Sequence, residues 1–185
     1  MDRLDPAHTL LVVVDVQEKL AAVMPKASMD RLQAGTLLLL EAARLLGVTV
    51  VASEQYPKGL GPTVAPIADK LRELGVEPIA KTTFDALGEP RIASLVSAQA
   101  ARAAVVVGME THICVFQTTR ELARRGLEVH VVSDAVASRR EENRTIGLEL
   151  CERAGAIVTS AETVAFDWLG RAGTDAFRAI SKLVR

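Results

Sequence analysis

Short runs of Val, Leu and Ala without polar alternation recur along the chain, and each is followed by a stretch whose apolar residues return every three or four positions. A run that is apolar on both sides of the pleat is the pattern of a strand covered on both faces, and the three-to-four spacing is that of a helix with one buried stripe. Strands are expected on this basis at 10–14, 48–52, 77–80, 104–107, 128–132 and 156–159. Helices are expected near 30–46, 66–74, 91–99, 115–125, 141–154, 161–169 and 174–184, with Gly47 and Gly126 stopping the first and fourth. Residues 54–62 hold two prolines and two glycines and read as an ordered loop.

Strands that alternate with helices predict parallel strands joined by crossover helices. At 185 residues the chain falls short of the ~250 typical of an eightfold barrel. The expected fold is therefore one α/β domain over 1–185, with three α/β/α layers around an open, six-stranded, mainly parallel, Rossmann-like sheet in the order 3-2-1-4-5-6. Sheets of this kind bind ligands outside the carboxyl ends of their strands. Asp15 ends the first strand, Lys81 ends the third and Cys114 follows the fourth, which puts all three on one edge.

Composition narrows the class of partner. With 22 basic and 23 acidic residues the net charge is −1, which supplies no electrostatic footprint for nucleic acid or an anionic membrane. A small-molecule substrate and a second copy of the chain are the expected partners. Two cysteines make no disulfide framework, residues 1–6 do not read as a secretory signal, and no apolar run approaches the ~20 residues of a membrane span. A soluble, cytoplasmic protein is expected. No Gly-x-Gly-x-x-Gly follows the first strand, and Gln17 stands where a strand-end phosphotransferase would need a second acid, so neither a dinucleotide nor any other cofactor is expected.

Three residues carry the chemistry. Cys114 lies after a β-branched run and a turn, where a helix should begin, and the positive end of a helix favours a thiolate. Against this stands the usual fate of a free cysteine, which is to be a small buried hydrophobe. Asp15 follows an apolar run and must be neutralised, paired or used, or else it caps the turn after it. Lys81 alone reads as a solvated side chain. Together they form a working set: Asp15 can take the thiol proton, and Lys81 can hold Asp15 ionised and oriented. The turn before the cysteine can offer backbone N–H donors to an oxyanion. Such a set suits acyl transfer on an amide or related carbonyl compound, through a thioester that water releases.

The motifs that surround these residues are Asp15-Val16-Gln17 after the first strand, Lys81-Thr82-Thr83-Phe84 after the third, and Gly108-Met109-Glu110-Thr111-His112-Ile113-Cys114-Val115 after the fourth. In this combination the chain resembles the isochorismatase-like cysteine hydrolases, and residues 54–64 and 131–139 look most like the isochorismatase domain-containing subgroup. The resemblance implies a catalytic triad of Asp15, Lys81 and Cys114, a cis peptide at Met109–Glu110, and an oxyanion site built from the backbone N–H groups of Glu110 and Cys114. It also implies a homo-oligomer. Nicotinamidases of the family bind a metal through an Asp-x-His and a further His after the second strand. Here Ser53, Glu54 and Gln55 stand there, so no metal is expected. True isochorismatases lack the cysteine nucleophile, so Cys114 argues against that reaction.

Gln17, Tyr56, Phe84 and His112 are the candidate pocket residues, each with an ordinary structural role as its alternative. His130 and Cys151 read as packed residues, and so does Trp168. Because only 3% of residues are aromatic, a deep aromatic cage is not expected. The rival to a hydrolase is a ligand-binding or assembly protein that keeps the fold without catalysis, and the intact set of three argues against it.

Overall fold

Thr9–Val14 forms β1, and all six of its residues are buried, as an apolar run with no polar alternation requires. In the computed structural model, which describes residues 2–184, β1 lies between β2 (Thr49–Gln55) and β4 (Ala103–Met109). Beyond these come β3 (Ile79–Lys81) on one side and β5 (Glu128–Ala137) and β6 (Ile157–Thr159) on the other. The sheet order is β3-β2-β1-β4-β5-β6, and every pairing is parallel. Chain order reverses between β1 and β4, and that reversal makes the crevice where such sheets bind ligands.

The helices, in chain order, are α1 (Glu18–Ala21), α2 (Lys26–Leu46), α3 (Pro57–Leu60), α4 (Ala65–Glu73), α5 (Pro90–Ala98), α6 (Phe116–Arg124), α7 (Glu141–Arg153), α8 (Ala161–Leu169) and α9 (Asp175–Leu183). Alternate residues of β1 separate two cores. Leu11 and Val13 pack with Leu39 and Leu40 of α2, Ile67 of α4, Trp168 of α8 and Ile180 of α9. Leu10, Val12 and Val14 pack with Ile92 of α5, Leu122 of α6 and Cys151 of α7. Among the described residues, no helix is long and apolar enough to cross a membrane.

Three local departures from the sequence pattern matter for function. The one-turn helices α1 and α3 stand where a turn and a loop are expected, because four residues are too few to show a helical period. Cys114 lies within a wide helical turn, Thr111–Val115, which runs directly into α6. The strand expected at 128–132 continues to Ala137, because a register shift between Val106 and Gly108 lets Val136 and Ala137 pair with Gly108 and Met109. That extension carries Ser138 and Arg139 to the edge where Cys114 stands.

Candidate active site

β1, β3 and β4 deliver Asp15, Lys81 and Cys114 to the carboxyl edge of the sheet. Asp15 takes a left-handed backbone conformation, with φ of 50°, as the chain leaves β1. Its Oδ1 accepts a hydrogen bond from Ser53 Oγ at 2.7 Å, and its Oδ2 accepts one from Lys81 Nζ, also at 2.7 Å. Both side chains of that ion pair are wholly buried. Lys81 also donates to Gln55 Oε1 at 2.7 Å and to the carbonyls of Thr83 and Phe84 at 3.1 and 3.2 Å. A buried charge pair is tolerable only when its remaining lone pairs and protons find partners, and these contacts provide them.

Cys114 is 6% exposed. Its thiol is not the preformed thiolate that a helix start suggests. Burial, reinforced by the negative charge of Asp15 and more weakly by that of Glu110, pushes it up to about 12, and the opposing pull of Lys81 does not cancel this. Desolvation disfavours the charged form, and it outweighs a helix terminus that contributes only partial charge. The same burial pushes the Cys151 thiol up to about 11.

The nucleophile turn is held by close backbone packing. The Met109–Glu110 peptide is cis. The carbonyl of Glu110 accepts from the N–H groups of Ile113 and Val115. Gly108, at φ 125°, has no room for a side chain: a Cβ there would lie 2.0 Å from the carbonyl oxygen of Val14. Gly147 of α7 lets that helix lie against the turn, since a Cβ there would stand 2.6 Å from His112 N.

The expected pocket residues separate once placed. Gln17 is fully buried, and its amide is committed to the protein: Oε1 accepts from Gln55 N at 2.7 Å, and Nε2 donates to the carbonyls of Gln55 and Gly61 at 3.0 and 2.7 Å. It clamps the loop after β1 to the end of β2, with both amide N–H donors used and no surface exposed to a substrate, which corrects the expectation. Tyr56 and Phe84, 55% and 54% exposed, stand at the rim and wall no enclosed space. Tyr56, with Ala80, Lys81 and Thr82, borders a surface cavity of about 320 Å3. His112 is half-buried and bonds through Nδ1 to Ser138 Oγ at 3.0 Å. His130 is packed, with Nε2 2.9 Å from Glu128 Oε1, and Cys151 and Trp168 lie in the two cores.

Four residues at the site escape a reading of the sequence. Ser53 and Gln55, two apart on β2, hold Asp15 and Lys81, and their period-two spacing at a strand end was the available signal. Glu54 between them instead bonds to the backbone and side chain of Thr63. All three positions are thus committed to the fold, and among the described residues no cluster of three or more His, Cys, Asp or Glu could hold a metal ion. The other two are Arg139 and the side chain of Glu110, paired at 2.5 Å beside the nucleophile turn. Arg139 lies just past a polar pair, Ser133-Asp134, that reads as the end of the strand, so nothing local marks it.

Comparison with known proteins accords with this geometry. The isochorismatase domain matches residues 9–163. Isochorismatase domain-containing protein 2 of Bos taurus is 36% identical over 186 residues, which take in 100% of this chain and 87% of that protein. The structure of the MAR1 ribonuclease from Caenorhabditis elegans, also 36% identical, superposes with a TM-score of 0.90 over 99% of this chain and 92% of that one. Two more distant structures share the fold. One is the YcaC gene product of Escherichia coli, an octameric hydrolase of unknown specificity, with 20% identity and a TM-score of 0.89 over 98% of this chain and 90% of that one. The other is the nicotinamidase SaPncA of Staphylococcus aureus, with 18% identity and a TM-score of 0.72 over 83% and 99%. A match across most of the chain, a relative aligned over the whole of this chain and the sheet order 3-2-1-4-5-6 together make this chain a member of the isochorismatase family, with a hydrolase-type fold.

Proposed function

We propose that the protein is a cysteine hydrolase of small amides or related carbonyl C–N compounds, with Cys114 as nucleophile, Asp15 as base and Lys81 as electrostatic support. The observation that carries this reading is the fully buried Lys81–Asp15 pair held next to a single buried thiol at the sheet's switch point. A wholly structural role has little use for two buried charges and a nucleophile at one crevice, since burying charge is costly.

A thiol pushed to about 12 must lose its proton as it attacks. In the proposed sequence the Cys114 proton passes to Asp15 as Sγ bonds to the carbonyl carbon, and the C=O electron pair moves to oxygen. The N–H groups of Glu110 and Cys114 are assigned to that oxyanion, a kind of stabilisation that is often the largest single contribution in acyl transfer. The C–N bond then breaks, and the nitrogen takes the proton from Asp15 and leaves as amine or ammonia. Water, deprotonated by Asp15, releases the acid from the thioester, and the proton returns to Sγ. Lys81 offsets the charge of Asp15 throughout. The steps call for no metal or cofactor. We also propose that the protein works as a homo-oligomer, a reading supported by the octameric state of YcaC and tested by light scattering, where a monomer would refute it.

The decisive experiment screens small amides, ureides and carbamoyl compounds for ammonia release, with a structured and a single-stranded RNA as further arms. Release by the wild type that is lost in a folded Cys114→Ala protein is expected. Undiminished release in that variant would refute the assignment. Binding without turnover would favour the assembly or ligand-binding alternative, and RNA cleavage that depends on Cys114 would replace the amide reading with the activity that names the C. elegans relative.

A further inference from the structure

In the proposed sequence Asp15 is protonated twice per turnover, first by the thiol and then by water, so its partners have to serve both a carboxylate and an acid. Lys81 serves only the carboxylate, because an ammonium has donors and no lone pair. It is fixed against Oδ2 at 2.7 Å by its further bonds to Gln55 Oε1 and to the carbonyls of Thr83 and Phe84. A proton on Oδ2 would have to share that oxygen with the ammonium. Oδ1 has a different neighbour. The buried Ser53 hydroxyl lies 2.7 Å from it, and a hydroxyl carries one donor and two lone pairs and rotates to suit its partner. Among the described residues it makes no other hydrogen bond, so no second partner holds it in one orientation. The main chain fixes the two residues together as well, since the Asp15 N–H donates to the Ser53 carbonyl at 3.1 Å, beside the pairing of Val14 with Ser53 in β1 and β2.

We infer that the two Asp15 oxygens divide the work: Oδ2 stays with Lys81, Oδ1 takes and returns the proton, and Ser53 is the positioning residue that keeps Oδ1 partnered throughout. This rests on the cysteine-hydrolase reading above. While Asp15 is ionised, the Ser53 O–H donates to Oδ1. Once the thiol proton has arrived, the acid O–H on Oδ1 donates instead, and Ser53 Oγ accepts. The leaving nitrogen then draws that proton off and the hydroxyl turns back. Water repeats the cycle, its proton passing to Oδ1 and from there to Sγ. Ser53 itself gains and loses no proton. With an alkyl group in its place Oδ1 would lose its partner in both states, and the carboxylate would be free to turn about its remaining bond to Lys81. A buried polar group without a partner is costly, and a base out of line with the thiol slows the transfer.

The test uses Ser53→Ala, which adds no atoms, together with Ser53→Thr and Ser53→Val, which match each other in shape and differ in the hydroxyl. With an amide found in the screen, kcat in Ser53→Ala and Ser53→Val should fall about 10-fold or more while KM stays within about threefold, because Ser53 bonds to the base and not to the substrate. Ser53→Thr should recover most of that loss. A merely structural role lowers Tm and leaves kcat alike in the Thr and Val proteins; that result overturns the inference, as does wild-type kcat in a folded Ser53→Ala protein. If the two larger side chains prevent folding, Ser53→Ala decides alone. A second readout needs no substrate: alkylation of Cys114 by iodoacetamide at about pH 8, located by mass mapping, passes the same thiol proton to Asp15 and should slow in Ser53→Ala and not in Ser53→Thr. Slowed alkylation in a protein that hydrolyses no amide would sink the hydrolase reading while the division of the two oxygens stands. Amide turnover and alkylation that are both unchanged in Ser53→Ala would overturn that division and leave the hydrolase reading in place.

Discussion

Asp15→Asn separates the two things Asp15 is asked to do, because it keeps the shape of the side chain while removing its charge and its ability to take a proton. In the wild type the Cys114 thiol stands at about 12. At pH 8 such a thiol is ionised in roughly one molecule in 10^4, against about one in four for an ordinary thiol near 8.5. Attack therefore depends on handing the proton to Asp15, and loss of a positioned base costs about 10^2–10^4 in rate. The thiol itself should respond in the opposite direction. The charge of Asp15 raises it and that of Lys81 lowers it, so the substitution removes the larger of the two charges that oppose Lys81 and moves the thiol down. Turnover of an amide found in the screen should fall by about 10^2 or more, while the pH midpoint for alkylation of Cys114 by iodoacetamide should move to lower pH. The same change leaves the buried Lys81 ammonium among neutral acceptors, without its countercharge. Breaking a buried pair from one side costs about 3–5 kcal/mol. For a chain of this size that is a fall in Tm of roughly 6–20 °C. Turnover within a few-fold of wild type would remove Asp15 as the base, and an alkylation midpoint that stayed put or rose would refute the electrostatic account.

The remaining predictions concern what supports the site. Gln17→Ala removes three hydrogen bonds, two of them buried, and should cost about 2–4 kcal/mol, read as a lowered midpoint in urea; if activity falls while stability is unchanged, Gln17 binds substrate after all. Gly147→Ala drives a Cβ to 2.6 Å from His112 N, so α7 and the nucleophile turn must part; alkylation of Cys114 and Tm should both change, and a silent substitution would show that the contact is slack. Alkaline stability should report the buried thiols. The folded-state values of Cys114 and Cys151, about 12 and about 11, lie above the unfolded value of 9.0. Their stabilisation is complete below pH 9 and is lost as pH rises through 11 and 12, each thiol contributing a slope of up to about 1.4 kcal/mol per pH unit. Cys151→Ala should lower stability at pH 8 through its cavity yet flatten the decline above pH 9, and an equally steep decline would refute the assignment.

The legible parts of this protein are those in which one short stretch of chain carries its own physical signal. The unalternating run in β1, the helical period of α8 and the αL glycine that stops α2 each depend on residues within a turn or two, so strand number, parallel pairing and sheet order follow. Asp15, Lys81 and Cys114 were legible for a related reason: each stands at a strand end, and parallel strands bring their ends to one edge. The misread features are those whose partners lie far along the chain. Gln17 reads as a substrate ligand until Gln55 and Gly61, 38 and 44 residues away, take all of its hydrogen bonds. β5 reads as five residues because Ser133 and Asp134 are polar, yet pairing with β4 carries it to Ala137 and sets Arg139 against Glu110.

Cys114 shows where the division falls. Its sequence position determines that a thiol stands at the carboxyl edge of a parallel sheet, after a strand and at the beginning of a helical segment, because those are consequences of apolar periodicity and turn residues read locally. Its ionisation was decided only by the tertiary structure. The helix terminus is a local and weak influence, whereas the removal of water and the closeness of Asp15 and Lys81 to the turn that holds Glu110 and Cys114 arise from three separated segments folding around one thiol. Electrostatic energy depends on distance through space and on what fills that space, and neither quantity is written along the chain.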